Sequence, residues 1–503
     1  MHIIAWIRVV AVGLAAAATL AAGQAGRARA TRQLVVVFDG LRPDYVTTDL
    51  MPRLAAFAQR GVVFRAHHSV FPTVTRVNVA SMVTGLYPEA HGLLGNTIYV
   101  PAVNPVKGLD TGSRENLEAV AAKEPLLTAP SLGEILQKSG RKLLSVGSGS
   151  SGAVFLLNHT VAGGAILHHE FSRPDALAAR AAEKLGAPPG HALPNAAQNR
   201  RAVDAYLTIG LDEIQPDVTL MWISDPDTTA HTHGIGTGVT RQALSLVDAE
   251  FGRVEDTLRA KGLLDRTNII VVSDHGFSMH GGIYRLGPIV ERFARKMPDG
   301  TPDLVVAEGA IYFRGSRDRE REAALVAALQ QNAGVGAIFT RPSGRGLEGE
   351  VPGTLSFDAV RWNHPRAGDV LVASNWSGDK NQAGIAGATS DAGAAGHGTS
   401  SPYDVHATLM AAGPDFREHS VSDVPTGNVD LTPTLLRLLG IDVPRDMSGR
   451  AVTEGFRNGP QPSSIAVTHA SETVKSKDGG YTLIAHFSTA AGKRYLDFTE
   501  VSR

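Results

Sequence analysis

Four short apolar runs stand out along the chain: QLVVVFDG (33–40), RKLLSVGS (141–148), PDVTLMWISDPD (216–227) and RTNIIVVSDHGF (266–277). None alternates apolar with polar residues, so each predicts a strand buried on both faces, as in a parallel sheet. Between them lie segments of helical period, MPRLAAFAQRG (51–61), SLGEILQKSG (131–140) and SLVDAEFGRVEDTLRAKG (245–262), each closed by Gly. Strand and helix alternate, which predicts an α/β fold with a mostly parallel central sheet between helices.

Two regions break this rhythm. Residues 97–130 and about 155–200 are rich in Pro, Gly, Asn and Ala, and 281–396 carries strand-like runs (DLVVAEGAIYF, DVLVASN) before the Gly/Ala-rich NQAGIAGATSDAGAAG. We expect one domain over 31–503 with cap insertions at about 97–200 and 281–396. The core resumes at DVHATLMAAGPDF and NVDLTPTLLRLLGI, and the tail predicts antiparallel edge strands.

Composition narrows the function classes. The 503 residues are 43% hydrophobic and 19% charged, with formal net charge −1. No basic field suggests a nucleic-acid polymer or a lipid surface. Residues 1–30 pair Arg8 with the apolar VVAVGLAAAATLAA and the small residues Ala28 and Ala30, the build of a secretory signal peptide; an uncleaved anchor is the competing reading. No later stretch is long enough to span a bilayer, so a periplasmic or secreted protein without an integral membrane domain is expected. Cysteine is absent while histidine occurs 18 times. Any metal site must then use His, Asp, Glu and hydroxyl donors.

The candidate chemistry lies at strand ends, where open α/β sheets collect ligands. The first strand delivers Asp39; the 216–227 run delivers Asp225, Asp227, His231 and His233; the 266–277 run delivers Asp274 and His275. His397, in a Gly-rich loop, could close the set. An Asp after a strand is ordinarily a turn or cap residue, but three such ends with two Asp/His pairs point to cation binding, zinc being favoured and manganese or another divalent ion possible. Two sets of about three ligands suggest two metals clamping a phosphoryl displacement. In FPTVTRVNVASMVTGLYPEAHGLLGN (71–96), Thr75 opens a helical pattern. Read blandly, Thr73 or Thr75 caps that helix and Asn96 is a turn residue. Read sharply, Thr75 is a metal-activated nucleophile and Asn96 a donor to a phosphoryl oxygen.

With VVVFDGLRPDY, SDPDTTAHTHG, VSDHGF and the late GHG loop, that segment resembles the alkaline phosphatase superfamily, and within it the type I phosphodiesterase/nucleotide pyrophosphatase family. The resemblance implies an alkaline-phosphatase-like catalytic domain with two zinc ions. It makes Asp39, Thr75, Asp274 and His275 ligands of the ion that activates the nucleophile, and Asp227, His231 and His397 ligands of the other. Thr75 is implied as the nucleophile, forming a phosphothreonine intermediate, and Asn96 as the phosphoryl contact. The implied substrate is a small phosphate ester or nucleotide. Three departures stand out: Ala230 before His231 with Ile235-Gly236 beyond His233, HGTSSPYD in place of a compact His-Gly-Tyr-Asp, and Arg76 after the nucleophile, where a cation would favour a doubly charged monoester. A phosphomonoesterase and a phosphonoacetate hydrolase are the alternatives within the superfamily; a metal-stabilised envelope binding protein is the alternative outside enzymes. Asp225 and His233 are candidates for orienting a ligand; His67, His68, His168, His169 and His280 are each expected to be a surface or satisfied core residue.

Overall fold

The computed structural model describes residues 30–503; the signal-peptide segment therefore lies, apart from Ala30, outside the described residues. The apolar runs assemble one nine-stranded sheet from β1 (Arg32–Phe38), β2 (Val62–Phe64), β3 (Leu143–Gly147), β4 (Ala165–His168), β5 (Ser172–Arg173), β6 (Val218–Ile223), β7 (Thr267–Val272), β8 (Leu409–Ala412) and β9 (Ser420–Ser422). Their spatial order is β9-β2-β8-β7-β1-β6-β3-β4-β5. β1 pairs in parallel with β7 on one side and β6 on the other, while β8 runs antiparallel to β7 and β5 antiparallel to β4.

Both faces of β1 are buried because helices cover both. The helices that matter here are α1 (Pro52–Arg60), α2 (Thr75–Thr84), α3 (Asp227–His233), α4 (Gly238–Ala260) and α5 (Leu431–Leu439). Leu34, Val36 and Phe38 pack with Leu54 and Phe57 of α1 and Val247 and Phe251 of α4. Val35 and Val37 face Val79 and Val83 of α2 and Leu435 and Leu436 of α5. An alternating strand would have exposed one of these faces; a uniform apolar run requires the sandwich.

The cap range 97–200 needs correction as a unit apart from the core, because it contributes β3, β4 and β5 to the central sheet. β3 had the apolar signature; Ala165–His168 and Ser172–Arg173 are too short to show one among Gly and Ala. Within 281–396, residues 304–374 build a five-stranded sheet ordered Leu304–Ala307, Ala310–Phe313, Val370–Ser374, Val335–Thr340, Leu355–Ser356, while Trp376–Lys380, Ala386–Asp391 and Ala395–Gly396 join Ser278–Tyr284 in a four-stranded one. The tail strands Val467–Lys475, Thr482–Ala490 and Lys493–Ser502 form their own antiparallel sheet rather than an edge of the central one. Leu483, Ala485 and Phe487 of that sheet share a core with the five-stranded layer. Among the described residues no helix is long and apolar enough to cross a membrane.

Candidate metal centre and nucleophile

Because β7, β1 and β6 are adjacent and parallel, their C-terminal ends deliver Asp274, Asp39 and Asp227 to one edge. Asp39 follows β1 directly; its Oδ2 accepts a hydrogen bond from Trp222 Nε1 of β6 at 3.1 Å, and its buried Oδ1 has no hydrogen-bond partner. Asp274 Oδ1 accepts from the Gly40 amide at 3.1 Å, and its buried Oδ2 has none either. Both open oxygens face His275 Nε2, at 3.5 Å from Asp39 and 3.1 Å from Asp274. His275 Nδ1 lies 2.9 Å from the Gly276 carbonyl, which can only accept, so Nδ1 carries the hydrogen. In the neutral ring, Nε2 then turns a lone pair toward two carboxylate oxygens. A divalent cation between the three atoms would satisfy such an arrangement.

A second group lies beside the first. Asp227 opens α3, and four residues on the helix brings His231 to the same side, with Nε2 3.1 Å from Asp227 Oδ1. His397 Nε2 approaches the same oxygen at 3.3 Å. His231 Nδ1 donates to Ala395 O at 3.2 Å and His397 Nδ1 to Thr73 O at 2.8 Å, so these two rings also present Nε2 inward. Ligand atoms of Asp39, Asp274 and His275 lie within 4.8 Å of one another, and so do those of Asp227, His275 and His397. The groups meet at His275, whose ring stacks on His397 with centroids 3.4 Å apart.

The electrostatics of the site follow from the same crowding of charge. Burial, then the Asp227 and Asp274 carboxylates, push the Asp39 carboxyl well above its ordinary value. Burial also opposes the charge on Asp227, but His231 and His397 outweigh it and hold that carboxyl well below the usual range. His397 falls to about 4 through burial and then the neighbouring His275.

Thr75 is the first residue of α2, buried, with Oγ1 3.4 Å from His275 Nε2. Neither threonine caps the helix: Val74 occupies that position without a side-chain bond, and Thr73 Oγ1 donates to Thr399 O at 2.7 Å. The bland reading of both hydroxyls therefore falls. Asn96 Oδ1 accepts from the Arg76 amide at 3.0 Å, satisfying an otherwise open N–H at the start of α2. This contact fixes the oxygen of its amide and leaves the Nδ2 hydrogens to donate elsewhere.

The remaining sequence candidates separate. Asp225 touches no candidate ligand; it accepts from Thr229 N at 3.2 Å and Thr229 Oγ1 at 2.6 Å and so anchors the first turn of α3. His233 is exposed on the last turn of α3. His67 is satisfied by Thr426 and Asn428, His68 by Thr426 and Asp497, and His168 by Gly149 and Glu170. Nδ1 of His169 and of His280 is buried without a hydrogen-bond partner.

Sequence reasoning missed Trp222 and Asp404. Asp404 is fully buried and accepts from Ser278 Oγ at 2.6 Å and from Thr399 Oγ1 at 2.7 Å, tying the His397 loop to the strand after His275. The extra residues of HGTSSPYD thus wrap back onto the site. Gly276 is required in this packing, since a Cβ there would lie 2.0 Å from the Tyr403 carbonyl oxygen. The HGTSSPYD spacing was the available signal for Asp404; Trp222 had none beyond its place in a buried strand.

The family model for type I phosphodiesterase / nucleotide pyrophosphatase matches residues 33–378. Human ectonucleotide pyrophosphatase/phosphodiesterase family member 1 is 25% identical over 284 residues, 54% of this chain and 27% of that protein. Mouse bis(5'-adenosyl)-triphosphatase enpp4 is 26% identical over 264 residues, 51% of this chain and 49% of that protein. The match thus spans half or less of these relatives' own length. An inactive murine ectonucleotide pyrophosphatase/phosphodiesterase 5 in complex with AMP superposes with a TM-score of 0.58 at 20% identity, covering 85% of this chain and 100% of that one. A mutant of alkaline phosphatase PafA gives a TM-score of 0.64 at 15% identity, covering 85% and 99%. These two likenesses establish an alkaline-phosphatase-like fold, and with the family match over most of the described residues, the chain belongs to the type I phosphodiesterase/nucleotide pyrophosphatase family.

Proposed function

We propose that this protein is an exported, zinc-dependent hydrolase of small phosphate diesters or nucleotides, acting through a phosphothreonine intermediate on Thr75. The observation that carries the reading is the set of three unpartnered buried carboxylate oxygens, on Asp39, Asp227 and Asp274, facing imidazole Nε2 atoms beside Thr75 Oγ1. Asp39, Thr75, Asp274 and His275 would hold one zinc ion, and Asp227, His231 and His397 the other. Two divalent charges would balance three carboxylates and one threonine alkoxide. When bound, the ions would make the Thr75 hydroxyl acidic enough to ionise near neutral pH and offset charge on the phosphoryl oxygens.

The chain's own residues supply the rest. Thr75 stands where α2 adds positive potential to its oxygen. It attacks phosphorus, the alcohol or nucleotide departs, and hydrolysis of the threonine ester restores the hydroxyl. Asn96, with Oδ1 occupied by the Arg76 amide, would donate Nδ2–H to a nonbridging phosphoryl oxygen. The 281–396 layer would shape the leaving-group pocket.

Arg76 supports a second reading, hydrolysis of monoesters. Its half-buried guanidinium has Thr111 Oγ1 at 3.4 Å and Asp110 Oδ1 at 3.8 Å, long contacts that leave donors for a dianionic phosphoryl group.

The test compares rates of the zinc-loaded protein on an aryl phosphate monoester, a thymidine 5′-monophosphate aryl diester and phosphonoacetate. Thr75→Ala is expected to lower the diester rate by at least about a thousandfold with zinc content and melting temperature unchanged. A monoester or phosphonoacetate preference would move the substrate to a sister activity while keeping Thr75. Equal rates in Thr75→Ala would refute the nucleophile, and no turnover of any substrate would favour a binding protein.

A further inference from the structure

Leu304–Ala307 and Ala310–Phe313 form a hairpin in register Ala307↔Ala310, so Glu308 and Gly309 are its two-residue turn. Glu308, the first turn residue, has φ +58°, a position at which glycine is the favoured residue. A glutamate there carries backbone strain, and such strain persists where a side chain has a task. Its Oε2 accepts from the Asn96 amide at 2.6 Å and more weakly from the Thr97 amide at 3.4 Å. A Cβ at Gly95 would lie 2.8 Å from the same oxygen and equally close to the Thr97 carbonyl oxygen, so the loop is bare here for both. Two separate features, the strained turn and the bond to two backbone amides, converge on one carboxylate reaching from the five-stranded layer to the loop that carries Asn96.

We infer that Glu308 is a positioning residue for phosphoryl transfer: it clamps residues 95–97 so that Asn96 keeps Oδ1 on the Arg76 amide and its N–H donors toward the phosphoryl group. This rests on the role proposed above for Asn96. The clamp ties the five-stranded layer, to which the hairpin belongs, to the loop that carries Asn96. A charge-assisted bond to a backbone amide holds the loop without occupying the Asn96 side chain.

The experiment measures kcat, KM and melting temperature for zinc-loaded Glu308→Gln, Glu308→Ala and Glu308→Gly, and repeats Glu308→Ala on an Asn96→Ala background. In Glu308→Ala and Glu308→Gly, kcat on the thymidine 5′-monophosphate aryl diester is expected to fall about 10- to 100-fold with KM little changed. Glu308→Gln, whose amide oxygen still accepts, should recover most of the rate. Glu308→Gly should melt no lower than the parent, since it relieves the turn, and Glu308→Ala should cost nothing further once Asn96 is alanine. Parental rates in Glu308→Ala and Glu308→Gly overturn the inference, as does a loss that remains equally large on the Asn96→Ala background. If Asn96→Ala alone hydrolyses at the parental rate, the Asn96 assignment fails and the clamp with it. If Asn96→Ala is slow while Glu308→Ala is fast, only the clamp fails.

Discussion

Thr75 and Arg76 are consecutive, yet the first turn of α2 sends them to different partners: the threonine oxygen to His275, the guanidinium to Thr111 and Asp110. Their variants should therefore separate in kind. Arg76→Leu should depress kcat/KM for an aryl monoester by about 10- to 100-fold, the range of a lost charged hydrogen bond, and for the diester by much less. Equal losses on both substrates would show that Arg76 acts only through the Asp110 loop. Trp222 offers a second residue-level test. Its indole N–H is the hydrogen-bond donor that holds Asp39 Oδ2, so Trp222→Phe keeps the bulk and removes the orientation. Zinc affinity should fall about tenfold in a competition titration against a chelator.

At the level of elements, α3 is a short helix that carries two candidate ligands, and Asp225 secures its opening turn. The Asp225 carboxylate also takes the Asn195 amide at 2.8 Å and Asn199 Nδ2 at 2.9 Å. Asp225→Ala leaves these buried donors unpaired, so we expect about 2–3 kcal/mol lost in denaturant unfolding and weaker zinc retention on dialysis. Unchanged stability would mean that α3 is held by its packing alone. What was legible here follows from how the elements are built. β1, β6 and β7 are uniformly apolar and end in acids, so both the sandwich and the Asp edge could be read from single segments. Glu308 and Trp222 could not, because each acts on a residue more than 180 positions away in sequence. β4 and β5 were hidden for a different reason: their few residues are held by register, β4 to β3 and β5 to β4, not by a pattern of their own.

Across the whole molecule, acid should reveal a fragility set by buried imidazoles. His91 is fully buried, bonded to Ser81 Oγ at 3.0 Å and to the Leu93 amide at 3.2 Å, and burial, reinforced by His364, pushes it down to about 3. Its folded value lies below the ordinary 6.5, so the unfolded chain takes up a proton that the folded protein refuses. The stability it supports is complete above about pH 6.5 and drains by about 1.4 kcal/mol per unit as pH falls toward 3. In His91→Gln that drain is absent, and the parent's advantage in melting temperature should shrink on acidification between pH 6.5 and 4.5. A constant difference would contradict the assignment. The converging ligands have one more consequence, concerning the order of events. The ligands run in sequence from Asp39 to His397, with Asp227, Asp274 and His275 between them, and no shorter segment contains both groups. A growing or threaded polypeptide therefore cannot carry the paired centre with it. If the proposed ions bind, loading would wait until the His397 loop has closed, so they would be drawn from whichever compartment witnesses that step, and that compartment's metal supply would decide when the protein begins to work.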